Sequence, residues 1–138
     1  MTLQSSMTFI NLPVKDLQKT MDFFTHIGFA FNPQFTDENA ASMIINDNTY
    51  AHFLIESYFK TFITKEISDA KKNTEVLIAL AAESKEEVDE IVNKAIASGG
   101  SPASDPKDLG FMYQWSFQDL DGHIWEVAYM DPSAMQEG

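Results

Sequence analysis

The stretch Phe117–Val127, FQDLDGHIWEV, is the part of the sequence that decides the fold. Asp121-Gly122, near its middle, is a strong signal for a hairpin turn, because glycine adopts the positive φ that tight turns require. We predict a strand on each side of this turn, at Phe111–Phe117 and His123–Met130. The stretch therefore predicts a β-hairpin that closes the second half of the chain.

The elements before this hairpin repeat a pattern already present in the first half. The order of one strand, one helix and three strands occurs once over residues 7–56 and again over residues 74–131. Half a chain of this kind cannot bury both faces of its sheet. We therefore predict an α+β fold in which two βαβββ modules form a curved mixed sheet around a cavity, with the helices outside. At 138 residues the chain is long enough for this single domain, residues 1–138.

Local signals set the expected boundaries. Asp16 begins the first helical pattern, and Gly28 is placed to end it in a left-handed conformation. Ser84 and Glu87 form a capping box that opens the second helix. The remaining strands are predicted at Met7–Val14, Phe29–Phe35, Ala40–Ile45, Thr49–Ile55 and Thr74–Ala82, with a short one at Ser101–Ser104 and a loop at Pro106–Gly110.

Composition excludes several classes of function. The net charge of −12 argues against a nucleic-acid partner and against an anionic membrane surface. The apolar runs are too short to span a membrane, and Met1–Ser6 does not resemble a secretory signal. The absence of cysteine removes disulfides and thiolate ligands and fits a cytoplasmic location.

Two stretches resemble one known group of proteins. The hairpin Phe117–Val127 is similar to the closing hairpin of the vicinal oxygen chelate superfamily, which has an aromatic residue, then Asp-Pro-Asp-Gly, then a strand that ends in a glutamate. Leu12–Leu17 through Phe23-Phe24 to Gly28-Phe29 resembles the first strand and helix of the same proteins. That superfamily holds glyoxalase I, extradiol dioxygenases, fosfomycin-resistance enzymes and bleomycin-binding proteins. The resemblance is specific for the fold and weak for the reaction.

The resemblance also implies where a metal would be held. Metal-dependent members bring together four side chains, one on the first and one on the last strand of each half, each of them His, Glu or Gln. The last-strand position of the second half falls on Glu126. The other three fall on Phe9, Leu77 and Phe53, none of which can bind a metal. We therefore expect no metal site and no cofactor.

A shifted register leaves one alternative, because a slip of one residue turns a strand's side chains to the other face. His52 and Glu56 lie near Phe53, and Glu75 lies two residues before Leu77. A divalent metal held by Glu75, Glu126 and either His52 or Glu56 would need shifted registers in more than one strand.

We expect an apolar cavity that binds a small molecule without metal. The residues predicted to line this cavity are Phe9, Asn11, Phe53, Glu75, Leu77 and Glu126. Glu126 is the only candidate catalytic residue, as a general acid or base, or else it anchors a cationic or hydroxylated ligand. The alternative is a structural role, in which Glu126 is hydrogen-bonded to a neighbouring strand or to water.

Three functions compete. The first is a metal-free protein that binds a small, partly apolar or aromatic molecule. The second is an enzyme, either a metal-dependent lyase like lactoylglutathione lyase (glyoxalase I) or a related dioxygenase. Pro13 stands where glyoxalases commonly carry an arginine, and all nine basic residues are lysines, which counts against a glutathione substrate. The third is a non-catalytic module that binds a protein partner. By resemblance, we expect a homodimer.

Overall fold

The computed structural model describes residues 2–135, and the chain divides into two compact units, Met1–Ser68 and Asp69–Gly138. Each unit contains one sheet with both parallel and antiparallel pairs, and one long helix. The predicted α+β class and the repeated order of elements are therefore confirmed. Within residues 2–135, no helix is both long and apolar enough to cross a membrane.

The first unit contains a four-stranded sheet in the order β1-β4-β3-β2. Its elements are β1 Thr8–Val14, α1 Leu17–Ile27, β2 Ala30–Phe31, β3 Ala40–Asn46, β4 Thr49–Ile55 and α2 Glu56–Phe59. Single 3-10 turns occur at Pro33–Phe35 and Lys60–Phe62. The first strand pairs in parallel with the last strand, and the other pairs are antiparallel.

Both ends of α1 form as the sequence predicts. The Asp16 side chain accepts a hydrogen bond from the Lys19 backbone N–H at 3.0 Å and so satisfies one of the free donors of the first turn. Gly28 ends the helix with φ 129° and donates its backbone N–H to the Phe24 carbonyl. Helix α1 buries one face, which contains Leu17, Thr20, Phe23, Phe24 and Ile27. This face forms the core of the first unit.

The predicted strand Phe29–Phe35 is wrong over most of its length, because β2 ends at Phe31. The Asn32 side chain accepts a hydrogen bond from the Gln34 backbone N–H and begins a 3-10 turn with Pro33 in its first position. Proline has no backbone N–H to donate to a neighbouring strand and its φ suits a helical turn. The local Asn-Pro signal therefore overrides the strand propensity of the phenylalanines.

The second unit contains a five-stranded sheet in the order β5-β9-β8-β6, with β7 also paired to β8. Its elements are β5 Leu77–Ala81, α3 Lys85–Ala97, β6 Ser101–Pro102, β7 Lys107–Asp108, β8 Met112–Gln118, β9 Ile124–Met130 and α4 Pro132–Met135. Strand β5 begins at Leu77 rather than at the predicted Thr74, and β7 forms within the predicted loop Pro106–Gly110.

Helix α3 begins at the predicted capping box. Ser84 Oγ accepts a hydrogen bond from the Glu87 backbone N–H at 3.1 Å, and the Glu87 carboxylate accepts one from the Glu83 N–H at 3.2 Å. The return bond thus reaches the residue before the cap, not Ser84 itself. Val88, Val92 and Ala95 are fully buried on the apolar face of α3, which packs on β8 and β9.

The hairpin between β8 and β9 is built around the Asp119 carboxylate, which is 6% exposed. It accepts hydrogen bonds at 3.0 Å from the backbone N–H groups of Asp121 and His123 and from Nε1 of Trp125. Burial raises the pKa of Asp119, although the nearby His123 and these donors act in the opposite direction. Gly122 has φ 94°, and a Cβ there would lie 2.9 Å from the backbone of Lys71. The buried carboxylate of Asp119 and the lack of space for a Cβ at Gly122 both restrict which residues this turn can contain.

Candidate functional site

The first sheet has one face against α1 and one face turned away from it, which we call the far face of the first unit. Leu12 and Val14 of β1 are buried on the α1 side. Because side chains alternate along a strand, Phe9 and Asn11 lie on the far face. Phe9 is 49% exposed, and Asn11 is also exposed. The predicted shared face of Phe9 and Asn11 is therefore present in the structure.

An aromatic cluster occupies this far face, formed by Phe9, Tyr50 and His52. Strands β1 and β4 pair in register, with Phe9 opposite Tyr50 and Asn11 opposite His52. The Phe9 ring centroid lies 5.6 Å from that of Tyr50 in a stacked arrangement and 5.1 Å from that of His52. The exposed Phe9 ring thus lies between one aromatic and one imidazole neighbour.

Phe53, predicted to line the same cavity, lies on the opposite face. Its side chain is fully buried, and its ring stacks on Phe24 of α1 with centroids 4.9 Å apart. Phe53 is a core residue of the first unit, and the prediction that it faces a ligand with Phe9 is wrong. The predicted face assignment of β4 is displaced by one residue from the observed one. His52, not Phe53, therefore lies on the far face.

A row of uncharged polar side chains crosses the far face beside the aromatic cluster. In register, Asn11 of β1 is opposite His52 of β4, which is opposite Ser42 of β3. Ser42 is 1% exposed and His52 is half-buried. Burial lowers the pKa of His52, because a charged imidazole loses hydration there. This shift favours the neutral imidazole, which can donate or accept a hydrogen bond through a ring nitrogen.

The far face of the second unit, turned away from α3, holds two of the predicted residues. Trp125 and Val127 are fully buried on the α3 side, so Glu126 between them lies on the far face. Leu77 and Ala79 of β5 share this face, with Ala79 directly opposite Glu126. Leu77 is 52% exposed, and Glu126 is half-buried.

Glu75 is not a strand residue. It is exposed and precedes β5, which begins at Leu77. The expectation that Glu75 shares a strand face with Leu77 assumed a strand from Thr74, and the structure corrects it. The other alternative ligand, Glu56, is the first residue of α2.

The two far faces are built alike. His52 of β4 is opposite Ser42 of β3, and Glu126 of β9 is opposite Ser116 of β8. Each half of the repeat thus holds one potential metal donor, at an equivalent place and beside an equivalent serine. This equivalence identifies His52, not Phe53, as the first unit's counterpart of Glu126.

The donor set differs from that of the metal-dependent proteins. With His52 in place of Phe53, two of the four matched positions carry a donor and the other two, Phe9 and Leu77, carry none. Across residues 2–135, no three His, Asp or Glu side chains come together in a way that could hold a metal ion. The residues present therefore do not fit the four-ligand site.

Sequence reasoning missed Ser42, Tyr50, Ser116 and Asp119. Ser42 lies in the otherwise apolar run Ala40–Ile45, and a lone serine in a buried strand is the signal that identifies it. Asp119 is the first aspartate of the Asp-Leu-Asp-Gly motif that predicted the hairpin. Its hydrogen bonds to Asp121, His123 and Trp125 give it a structural role in the hairpin.

Comparison with known proteins identifies a family. The family model described as Glyoxalase/Bleomycin resistance protein/Dioxygenase superfamily matches residues 6–127. A comparison with curated proteins gives no match.

Solved structures with the same fold are numerous. A hypothetical protein from S. aureus is 29% identical, with a TM-score of 0.76, over 94% of this chain and 95% of that one. A glyoxalase/bleomycin resistance protein/dioxygenase family enzyme from Burkholderia phytofirmans is 17% identical, with a TM-score of 0.76, over 89% of this chain and 97% of that one. The fosfomycin resistance protein FosX from Listeria monocytogenes is 22% identical, with a TM-score of 0.64, over 95% of this chain and 94% of that one.

Proposed function

We propose that this chain, which belongs to the Glyoxalase/Bleomycin resistance protein/Dioxygenase superfamily, binds a small, partly apolar or aromatic molecule without a metal ion. The observation that carries this proposal is the aromatic cluster Phe9, Tyr50 and His52 on the far face of the first unit. Phe9 stands at a position where metal-dependent members have a ligand, and its ring is half exposed. Aromatic side chains together with a few polar groups commonly line small-molecule sites.

Charge supports an uncharged or cationic ligand over an anionic one. The net charge is −12 and the sequence has no arginine, the residue best suited to hold a carboxylate or a phosphate by two hydrogen bonds. The far-face row Asn11, His52 and Ser42 contains no side chain with a fixed positive charge. An anion such as the carboxylates of glutathione therefore has little to recognise it there.

The test measures metal content and aromatic binding on the same protein. We expect elemental analysis of the purified protein to find no stoichiometric divalent metal, and naphthalene to raise the melting temperature and bind measurably. Phe9→Ala is expected to weaken naphthalene binding about tenfold, because a stacked ring is lost. Phe111→Ala is the matched control, since Phe111 has the same 49% exposure but lies outside the cluster, and it should leave binding unchanged. Stoichiometric metal with a metal-dependent rise in melting temperature would overturn the proposal.

The second candidate function is a metal-dependent enzyme, of the lactoylglutathione lyase or dioxygenase type. Its support is that His52 and Glu126, both able to bind a divalent ion, occupy equivalent places in the two units. Under this alternative, Glu126→Gln abolishes activity. Under the binding function, Glu126→Gln barely changes the affinity for an apolar ligand.

We further propose that the protein acts in the cytoplasm as a homodimer. The absence of cysteine supports the cytoplasmic location. The resemblance to the vicinal oxygen chelate superfamily supports the homodimer. Light scattering is expected to give a mass of about twice the 15.5 kDa of the chain, and a monomeric mass at micromolar concentration would contradict it.

A further inference from the structure

Two buried polar atoms on the far face of the first unit have no hydrogen-bond partner. They are the hydroxyl Oγ of Ser42 and the ring nitrogen Nε2 of His52, and no group within residues 2–135 bonds either atom. A buried polar group without a partner destabilises the folded state. Most buried polar groups in folded proteins are satisfied, so a pair of such atoms in one place requires an explanation.

The two atoms belong to side chains that are direct neighbours. Ser42 of β3 and His52 of β4 are opposite each other in the antiparallel register, so both point to the far face. Side chains in this relation have Cβ atoms roughly 4.5–5.5 Å apart. The His52 ring also contacts the ring of Phe9, with centroids 5.1 Å apart. Both atoms are buried, so a polar group that bonds both must enter between the two side chains, with its attached ring against Phe9.

The equivalent serine of the second unit shows that this arrangement is not a requirement of the fold. Ser116 is opposite Glu126, as Ser42 is opposite His52. Its hydroxyl lies 2.6 Å from the hydroxyl of Ser104 and forms a hydrogen bond with it. The fold thus satisfies the buried serine of one unit and leaves that of the other without a partner.

We propose that Ser42 and His52 form a subsite that binds the uncharged hydroxyl group of an aromatic ligand whose ring lies against Phe9. This inference rests on the proposed binding function and specifies the class of ligand, a hydroxylated aromatic compound such as a phenol or naphthol. In this arrangement Ser42 and His52 form hydrogen bonds with the ligand's polar group, and Phe9 and Tyr50 pack against its ring.

A hydroxyl fits this pair better than other polar groups do. If Nε2 of His52 lacks a proton, the ligand hydroxyl donates to it and accepts from Ser42. If Nε2 carries the proton, the hydroxyl accepts from it and donates to the oxygen of Ser42. A carbonyl satisfies both atoms in only one of these two states. A carboxylate would find no side chain with a fixed positive charge in this row, and burying it without one is costly.

The test measures the dissociation constants of naphthalene and 2-naphthol by fluorescence or calorimetry. The ratio of the two constants reports the contribution of the hydroxyl. We expect Ser42→Ala to lower the preference for 2-naphthol roughly five- to twentyfold and to leave the affinity for naphthalene within about twofold. His52→Phe, which keeps a ring against Phe9 but removes the nitrogen, should lower the preference in the same way. Ser116→Ala is the matched control and should not change the preference.

Stability gives an independent measurement. Ser42→Ala should leave the melting temperature unchanged or raise it slightly, because the hydroxyl has no partner in the fold to lose. Ser116→Ala should lower the melting temperature by a few degrees, because its bond to Ser104 is lost. A fall of several degrees for Ser42→Ala would show that its hydroxyl is already bonded within the fold and would overturn the proposal.

The remaining outcomes separate this inference from the proposed function. If naphthalene and 2-naphthol both bind but neither Ser42→Ala nor His52→Phe changes the preference, the hydroxyl subsite is wrong and the aromatic-binding function stands. Tighter binding of 2-naphthoate than of 2-naphthol would overturn the preference for an uncharged group. If the wild-type protein binds neither naphthalene nor 2-naphthol, both proposals fail.

Discussion

Phe53→Ala is expected to lower the free energy of unfolding by about 3–5 kcal/mol, because it removes a fully buried aromatic ring and leaves a cavity. The Phe53 ring packs on Phe24 at 4.9 Å and lies 6.5 Å from the ring of Phe31, so the cavity would form at the centre of the first unit's core. Urea unfolding measured by fluorescence or circular dichroism gives this free energy.

Phe9→Ala is the matched control for this experiment, since it removes the same ring from the other face of the same sheet. Phe9 is 49% exposed, so its removal should cost about 1 kcal/mol or less. For ligand binding we expect the opposite order. Phe9→Ala should weaken binding more than Phe53→Ala does, because Phe9 lies in the aromatic cluster and Phe53 does not. A small loss of stability for Phe53→Ala together with a loss of ligand binding would place Phe53 on the ligand side and refute the face assignment.

Asp119→Ala is expected to lower the free energy of unfolding by about 2–4 kcal/mol. The substitution leaves three N–H donors without their acceptor, namely the backbone groups of Asp121 and His123 and the indole N–H of Trp125. The Trp125 side chain is fully buried, so water cannot easily replace the lost carboxylate. For a chain of this size we expect a fall in melting temperature of roughly 10 °C.

Asp119→Asn divides this effect into parts. An asparagine oxygen can still accept from the two backbone N–H groups, but its NH₂ group would then face the Trp125 indole N–H, donor against donor. The loss should be smaller than for alanine but clearly measurable. Asp47→Ala, in the exposed turn between β3 and β4, is the control and should change stability by no more than about 0.5 kcal/mol. An equal effect of Asp47→Ala and Asp119→Ala would contradict the structural role of Asp119.

The sequence predicts the fold well wherever a local signal and the long-range packing agree. Asp16 and Gly28 bound α1, and Ser84 begins α3, because caps act within a few residues of the backbone groups that they satisfy. The turn at Asp121-Gly122 is set by the same short-range chemistry. These signals, taken together with the repeat, are sufficient for the α+β class and for the order of the elements.

The faces of β4 are harder to predict. Thr49–Ile55 reads TYAHFLI, in which Tyr50, His52 and Leu54 point one way and Ala51 and Phe53 the other. Both sets contain a ring and an aliphatic or small side chain, so alternation gives little contrast between the faces. Only the pairing of β4 with β1 and the packing of α1 decide between them, and a single strand does not contain that information. The position of Ser42 beside His52 likewise depends on the register between β3 and β4, which neither strand contains by itself.

The pairing of first strand with last strand in each unit affects how the chain folds as it is synthesised. On the ribosome, β1 gains its neighbour once Thr49–Ile55 has emerged, whereas β5 waits for Ile124–Met130, which are synthesised much later. The first sheet is therefore expected to complete its strand pairing while the second is still incomplete. A nascent chain arrested before Ile124 should expose Ile78 and the unpaired edge of β5, a surface suited to aggregation and to recognition by chaperones.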